Sequence, residues 1–466
     1  MLILMVSFCL QITGAEEKTA GGGKISAELL RKDLEFLVRS LEEIHPDLYA
    51  NYNRDLFKNK LKQVTAQINR DLSALEFYKL IAPLVARLGD AHTSLAIPFR
   101  LMAEHVRGGG KIFPFDVNCQ TGKVIIKENY SSLKKIRPGM EIVSINGISS
   151  KTLLKKITSF LSPRKEKFRR ILAGDLFSAY LYLLYGFDSG FTIEIKEKGK
   201  VNQVPHVVKG VLLQEINRKR SERKNELKMK FKFTSYPENN AGVMTIDSFS
   251  GSGNFMEFLR ETFLKLRQEK IKHLIVDIRK NSGGDSRLCE ALAGYLTDRP
   301  VDLVSKTRIK VSRQVKQMFR EKMKKADRSK LSPEALRYLR KIMETGDGKI
   351  LELAPEERGR GINSLRFSGK VYLLTGIRTF SSAVLFAAAF KDYRMGTIFG
   401  EETGAPASHF GEIFSFNLPN SKLNVRVSYK YFIRPDGRAG VRGVIPHHQV
   451  AEDQVLQFVL EQTKKL

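Results

Sequence analysis

The chain has 466 residues, of which 42% are hydrophobic and 28% are charged. This composition excludes an intrinsically disordered chain, and the length gives room for two to four domains of the usual size, roughly 100–200 residues each. Three cysteines are too few for a disulfide framework, while a formal net charge of +29 allows contact with anionic surfaces.

The N-terminus begins with an apolar run, Leu2–Leu10, followed by the small residues Thr13-Gly14-Ala15. This pattern is typical of a secretory signal peptide. It predicts residues 1–15 as the signal, cleavage before Glu16, and a secreted or periplasmic protein. The run has no preceding Lys or Arg, so a buried N-terminal helix or a mis-assigned start stays open. No other apolar segment reaches the roughly 20 residues of a membrane-spanning helix.

The next segment has the periodicity of helices. A break follows at Gly89 and Asp90, shortly before His92. We therefore predict a small N-terminal helical domain over residues 16–105. Apolar residues recur at helical spacing in three stretches: 30–41, 57–64 and 77–84.

A β-rich module is predicted over residues 106–236, after a glycine-rich linker. Alternating runs at Phe113–Val117 and Val124–Glu128 indicate strands. Arg137-Pro-Gly-Met140 supplies a turn, and Asn146-Gly147 is the dipeptide that most readily forms a tight hairpin.

From Gly242 onwards, strand and helix patterns alternate, which implies βαβ units and predicts an α/β domain over residues 237–466. The strand patterns fall at 243–246, 274–278 and 371–374, and the helical patterns at 255–266, 286–296 and 382–390.

Two basic runs carry much of the positive charge. Arg218–Lys232 has eight basic and two acidic residues, and Lys306–Lys330 has eleven and two. Such runs bind nucleic acid, anionic membranes or cell-wall polymer, or they form a solvated basic face. Neither run is interleaved with stacking aromatic residues or accompanied by a nucleic-acid-binding motif, so nucleic acid is disfavoured as a partner.

The first candidate catalytic segment is the strand pattern Leu274–Ile278 together with the turn that follows, which contains Gly283 and Gly284. Glycines in such a turn let backbone N–H groups point at a ligand, and the next helix adds positive potential at its N-terminus. An oxyanion hole and an ordinary strand-to-helix turn both fit this pattern.

The second segment is Val371–Phe386, which again reads as strand, turn and helix, with Ser381 at the start of the helix. A serine there can act as a nucleophile while the N–H of Ser382 faces the oxyanion. Helix capping by Ser381 or Thr379 is the alternative explanation.

Taken together, the motifs resemble the S41 peptidases, the family of C-terminal processing and tricorn-core proteases, over nearly all of residues 28–450. The resemblance implies a crotonase-like (ClpP/crotonase-type) α/β catalytic core, an N-terminal helical domain, a PDZ-like module and a tail-specific type of serine protease. It places the nucleophile on Ser381 and the oxyanion donors on the amides of Ser382 and of Gly283 or Gly284. The motifs, in the family's order, are Leu88-Gly-Asp-Ala-His-Thr93, Pro138-Gly-Met-Glu-Ile-Val-Ser-Ile-Asn-Gly147, Asp277-Ile-Arg-Lys-Asn-Ser-Gly-Gly284 and Thr379-Phe-Ser381.

The sequence also departs from the family's pattern. Pro406 stands where the C-terminal processing branch has its catalytic lysine, so the resemblance is to the tricorn-like branch, whose histidine base matches His92. A purely structural role for His92 is the alternative. Gly440 lies near the position of that branch's supporting glutamate, and Asp436 is the nearest carboxylate.

The expected partner is a protein or peptide substrate, with an anionic cell-envelope surface as a further candidate. No metal or phosphate-binding motif occurs, so no cofactor is expected.

Two alternatives to a peptidase function stay open. One is an inactive S41-like protein that binds peptide, lipid or anionic polymer, because a fold does not by itself imply a function. The other is a basic protein that binds cell wall or nucleic acid.

Overall fold

The computed structural model describes residues 23–197, 200–201, 205–222, 230–325, 331–355 and 363–464. The predicted signal peptide, residues 1–15, lies outside them. The chain divides into two compact units: unit 1 comprises Met1–Leu227 and Ile413–Val427, and unit 2 comprises Lys228–Glu412 and Ser428–Leu466. The domain boundaries expected from the sequence at residues 105 and 236 stay predictions.

Unit 1 begins with amphipathic helices. In the first helix, Ala27–Ile44, the buried side chains include Leu30, Leu34, Leu37 and Leu41, which recur every three or four residues and so share one face. The helices of unit 1 are α1 (Ala27–Ile44), α2 (Arg54–Gln67), α3 (Ala74–Ala86), α4 (Phe99–Arg107), α5 (Ser150–Thr158), α6 (Glu166–Asp175), α7 (Phe177–Tyr185) and α8 (Leu213–Glu222).

Unit 1 also contains a seven-stranded sheet. Asn146 and Gly147 connect two of its strands, β4 and β5, and both have positive φ, 48° and 76°. The tight hairpin expected from this dipeptide is therefore present. The strands of the N-terminal part of unit 1 are β1 (Ser94–Leu95), β2 (Phe115–Asn118), β3 (Val124–Asn129), β4 (Glu141–Ile145), β5 (Ile148–Ser149), β6 (Gly190–Glu197), β7 (Lys200–Val201) and β8 (His206–Lys209).

A late segment of the chain completes unit 1. The short strand β1 pairs antiparallel with Val425 and Arg426. The buried carboxylate of Asp33 on α1 accepts hydrogen bonds from the backbone N–H groups of Asn420 and Ser421 at 2.9 and 2.7 Å. Residues nearly 400 positions apart are thus joined within one unit.

Unit 2 is built on a six-stranded sheet with the order β18-β15-β14-β11-β10-β9, in which only the β9–β10 pair is antiparallel. All five residues of β11 are buried, as expected for a central parallel strand. The strands are β9 (Phe231–Tyr236), β10 (Ala241–Ile246), β11 (His273–Asp277), β14 (Lys370–Thr375), β15 (Thr397–Gly400) and β18 (His448–Gln449).

Helices follow the central strands of this sheet. The α/β class predicted from the sequence is thereby confirmed. The helices of unit 2 are α9 (Ser252–Gln268), α10 (Ser286–Leu296), α11 (Arg313–Lys325), α12 (Pro333–Glu344), α13 (Ser382–Asp392) and α14 (Val455–Thr463).

A second set of strands in unit 2 consists of β12 (Lys306–Lys310), β13 (Ile350–Leu353) and the last part of β17 (Asn424–Ile433). The division between the units falls within β17 and within β16 (His409–Asn417). Across the described residues, no helix combines the length and apolar character that crossing a bilayer requires.

Candidate active site

Ser381 lies between β14 and α13, at the end of a central parallel strand. Its backbone has φ 54° and ψ −127°, a conformation that residues with a side chain rarely adopt. Its side chain makes no capping hydrogen bond to the first turn of α13. Capping therefore does not explain the serine, and its strained backbone is of the kind that occurs at functional sites.

Thr379 anchors this turn to the neighbouring strand. Its hydroxyl donates to the carbonyl oxygen of Ile278 at 2.9 Å and accepts from the N–H of Gly376 at 3.0 Å. The N–H of Phe380 donates to the carbonyl oxygen of Asn281 at 3.0 Å. The threonine of the Thr-x-Ser motif thus holds the serine turn against the glycine turn.

The glycine turn requires glycines for two separate reasons. Gly283 and Gly284 have φ values of 101° and 139°. A Cβ at Gly283 would lie 2.7 Å from Cβ of Ser381, and one at Gly284 would lie 1.9 Å from the carbonyl oxygen of Phe249. Only a residue without a side chain allows this turn to approach the serine so closely.

The backbone N–H groups of the two turns differ in whether they already donate a hydrogen bond within the protein. The N–H of Gly283 donates to Oδ1 of Asn281 at 2.8 Å. The N–H groups of Gly284 and Ser382 donate no hydrogen bond within the described residues. We therefore narrow the predicted oxyanion donors to the amides of Gly284 and Ser382, the latter in the first turn of α13.

A cleft of about 710 Å³ opens beside Ser381 and lies entirely within unit 2. Ser381, Ser382 and Gly284 line it together with apolar and charged side chains. The apolar lining includes Leu303, Val304, Leu385 and Phe432. The acidic, basic and histidine side chains of the lining are Asp285, Glu290, Asp302, Glu334, Lys341, His409, Glu412 and Lys430.

His92 is buried in unit 1, in the turn between α3 and β1, and lies beside Asp90. Its backbone N–H donates to Oδ1 of Asp90 at 3.0 Å, and its ring Nδ1 lies 4.0 Å from the same oxygen. The carboxylate of Asp90 also accepts from the hydroxyl of Thr93 at 2.5 Å. The Asp90 carboxylate therefore lies beside both the backbone and the ring of His92.

His45 belongs to the same cluster. Its Nδ1 accepts the backbone N–H of Asp47 at 3.1 Å, so the ring proton is assigned to Nε2, which lies 3.3 Å from Oδ2 of Asp90. The sequence patterns predicted no role for His45 and did not identify Asp90 as a partner of His92. The short spacing of Asp90 and His92 along the chain was the available signal.

Asp436, the carboxylate suggested from the sequence as support for the base, is engaged elsewhere. It accepts from Arg438 Nη2 at 2.6 Å and from Arg434 Nε at 3.3 Å, and it does not line the cleft. Burial raises the pKa of Asp436, but the hydrogen bonds and charges of the two arginines outweigh burial and lower it. These arginines, rather than a histidine, account for its ionised state.

Comparisons with known proteins place this architecture in a class. Residues 240–450 match the family model of peptidase family S41. The structure is similar to that of mature CPAF complexed with lactacystin, with a TM-score of 0.65 and 16% identity over 94% of this chain and 98% of that chain. A second structure of mature CPAF gives a TM-score of 0.63 at 16% identity over 94% and 97% of the two chains. The chain thus has the fold of the S41 peptidases.

The sequence identity to these solved structures is low. A photosystem II D1 C-terminal processing protease gives a TM-score of 0.44 at 17% identity, over 91% of this chain and 93% of that chain. No curated protein matches the sequence significantly. The family model covers the segment that contains Ser381 and the glycine turn, whereas His92 lies outside it.

Proposed function

We propose that this chain is a serine endopeptidase of the S41 type that hydrolyses peptide bonds through an acyl-enzyme on Ser381. The observation that carries the proposal is the geometry at Ser381. A serine with a strained backbone and no capping role lies against a glycine turn, and the amides of Ser382 and Gly284 have no other acceptor among the described residues. Nucleophile and oxyanion donors are the two elements that acyl transfer requires.

The proposed reaction begins when Oγ of Ser381 attacks the peptide carbonyl carbon and His92 takes the hydroxyl proton. The carbonyl oxygen becomes an oxyanion that accepts hydrogen bonds from the amides of Ser382 and Gly284. The tetrahedral intermediate then collapses, the C–N bond breaks, and His92 returns the proton to the leaving amine. Water, deprotonated by His92, then attacks the acyl carbon, the C–O bond to Ser381 breaks, and His92 returns the proton to Oγ of Ser381 as the acid product leaves.

We assign the supporting carboxylate to Asp90 instead of Asp436. Asp90 lies on the Nδ1 side of His92, so Nε2 is the atom proposed to exchange the proton. His45 and Thr93 hold the Asp90 carboxylate in place. An ionised carboxylate at this distance stabilises an imidazolium without taking its proton.

A serine-directed fluorophosphonate probe tests the nucleophile. The full-length protein should be labelled on Ser381, as identified by peptide mass spectrometry, and Ser381→Ala should lose both labelling and about five to six decades of kcat. The matched control is Ser252→Ala, an exposed serine at the start of α9. Labelling of another serine, or substantial cleavage by Ser381→Ala, would refute the assignment.

The second candidate is a catalytically inactive binding protein. Pro406 at the position of the family's lysine and the engagement of Asp436 by arginines favour it. It predicts no labelling of Ser381 and no turnover, but saturable binding of peptide, lipid or anionic polymer.

We also propose that the protein is exported, that the PDZ-like module helps to hold peptide substrates, and that the basic runs contact an anionic cell envelope. The apolar run at Leu2–Leu10 supports export. N-terminal sequencing of protein recovered outside the cytoplasm should begin at Glu16. An uncleaved N-terminus on cytoplasmic protein would refute export.

A further inference from the structure

The cleft beside Ser381 has a charge opposite to that of the chain. The sequence carries a formal net charge of +29. Among the described residues that line the cleft, the carboxylates outnumber the lysines: Asp285, Glu290, Asp302, Glu334 and Glu412 face Lys341 and Lys430. A cleft of one sign with low-dielectric walls concentrates ligands of the other sign.

Glu412 lies at the wall of this cleft and pairs with a lysine. Its carboxylate lies 2.8 Å from Nζ of Lys430, and the Lys430 side chain is only 13% exposed, compared with 43% for that of Glu412. The Lys430 ammonium also lies 5.4 Å from the ring centroids of both Tyr338 and Tyr429. The lysine is therefore a buried support, and the carboxylate is the part that solvent and ligands reach.

This support keeps Glu412 charged. Burial raises the pKa of Glu412, but the charge and hydrogen bond of Lys430 outweigh burial and lower it. A glutamate that stays ionised and fixed in position is a suitable partner for a cationic side chain.

Asp302 provides a second carboxylate on the same wall. Its backbone N–H donates to the hydroxyl of Tyr393 at 3.3 Å, and this hydrogen bond holds the Asp302 backbone in place. Its carboxylate has no ion pair with another described residue. By contrast, Asp285 and Glu334 form ion pairs with Arg287 and Arg337, which lie outside the lining.

Resting on the proposed peptidase function, we infer that the substrates of this cleft are cationic polypeptides, with a Lys or Arg side chain placed against Glu412 and Asp302 near the scissile bond. Leu303, Val304 and Phe432 offer apolar contact for the methylene groups of such a side chain. An anionic substrate is disfavoured because Lys430 lies behind Glu412 and carboxylates predominate in the lining.

The test uses the full-length protein and fluorogenic peptides that differ at one position, scanned across the scissile bond. Arginine is compared with citrulline, its uncharged isostere, and with glutamate. We expect kcat/KM for the best arginine peptide to exceed that for its citrulline counterpart about 10-fold, which corresponds to about 1.4 kcal/mol. The preference should shrink as salt is raised from about 0.05 to 0.5 M, because salt screens charges.

Variants identify the side chains that cause the preference for arginine over citrulline. Asp302→Asn should reduce the arginine-to-citrulline ratio, and Glu412→Gln should reduce it further because it leaves the Lys430 ammonium unpaired beside the ligand. Glu412→Asp keeps the charge and should retain most of the preference. Glu257→Gln, an exposed carboxylate on α9, is the matched control and should leave the ratio unchanged. If Glu412→Gln fails to fold, Asp302→Asn still tests whether the cleft carboxylates cause the preference for arginine.

The outcomes separate this inference from the proposed function. If Ser381 is labelled and peptides are cleaved with no charge preference, or with glutamate preferred, the inference is wrong and the peptidase assignment stands. If Ser381 is never labelled, the peptidase assignment fails. Fluorescence anisotropy with Ser381→Ala then tests the cleft without turnover: tighter binding of the arginine peptide than of the citrulline peptide supports the inference, and equal binding overturns it.

Discussion

At the scale of single residues, the chemistry depends on backbone conformations that most residues avoid. Ser381, Gly283 and Gly284 all have positive φ. Strain of this kind costs on the order of 1–3 kcal/mol per residue and persists only where surrounding contacts enforce it. Here the hydrogen bonds of Thr379 and Asn281 enforce it.

Gly283→Ala tests whether the two turns must touch. The new Cβ would lie 2.7 Å from Cβ of Ser381, so the serine must shift. A displacement of about 1 Å in a catalytic group lowers turnover roughly 100-fold, and we expect such a loss of kcat. Gly139→Ala is the control, because Gly139 has φ 90° but open space around it. Equal activity of the two variants would contradict the close approach.

The pH dependence of activity tests His92 as the base. A histidine base must be neutral to accept the serine proton. We therefore expect a pH–rate profile in which kcat/KM falls on acidification through a single ionisation. His92→Ala should lose activity about as fully as Ser381→Ala because the two act as a unit. Near-normal turnover of His92→Ala would leave the histidine a structural role only.

At the scale of elements, the start of α3 shows how local sequence determines local structure. Ser73 and Glu76 form a capping box: the Ser73 hydroxyl accepts from the N–H of Glu76 at 3.2 Å, and Glu76 accepts from the N–H of Ser73 at 2.8 Å. The Ser73 N–H, followed by Arg70, lowers the pKa of Glu76 to about 2.

This pKa shift has a defined consequence for stability. A carboxyl group with a lowered pKa in the folded state stabilises the protein above its ordinary pKa of 4.5, and this contribution disappears as pH falls from 4.5 towards 2. Glu76→Gln should therefore lower the urea midpoint of unit 1 at pH 7 and show a smaller loss on acidification. Ser73→Ala should cost about 1 kcal/mol. Glu35→Gln, exposed on α1, serves as the control.

At the scale of the whole molecule, distant parts of the sequence form one unit. Asp33 is fully buried and binds the backbone of Asn420 and Ser421 in the segment between β16 and β17. A carboxylate that satisfies two buried N–H groups contributes more than a neutral hydrogen bond does.

Asp33→Ala should destabilise unit 1 by about 3 kcal/mol, because it leaves these N–H groups without an acceptor. Chemical denaturation followed by circular dichroism measures the change. Glu35→Ala on the exposed face of α1 should have little effect. If the two variants were equally stable, the contact between the two segments would not hold unit 1 together.

Much of the fold could be predicted from the sequence. The helix expected at 286–296 is α10, with the same bounds, because Asp285 caps it by accepting the N–H of Arg287 at 3.0 Å. The strand expected at 274–278 is β11, shifted by one residue. The turn at Asn146-Gly147 was also predictable. Capping, periodicity and turn preferences act between residues close in sequence, so they are visible there.

The sequence by itself determined the α/β class, several strands and helices of unit 2, and Ser381 as the candidate nucleophile. Tertiary structure decided the contacts of Asp90 with His45, the engagement of the Gly283 amide by Asn281, and the placement of Glu412 on Lys430. It also placed residues 413–427 in unit 1. These features join residues through chain topology and close packing, which local sequence patterns do not specify.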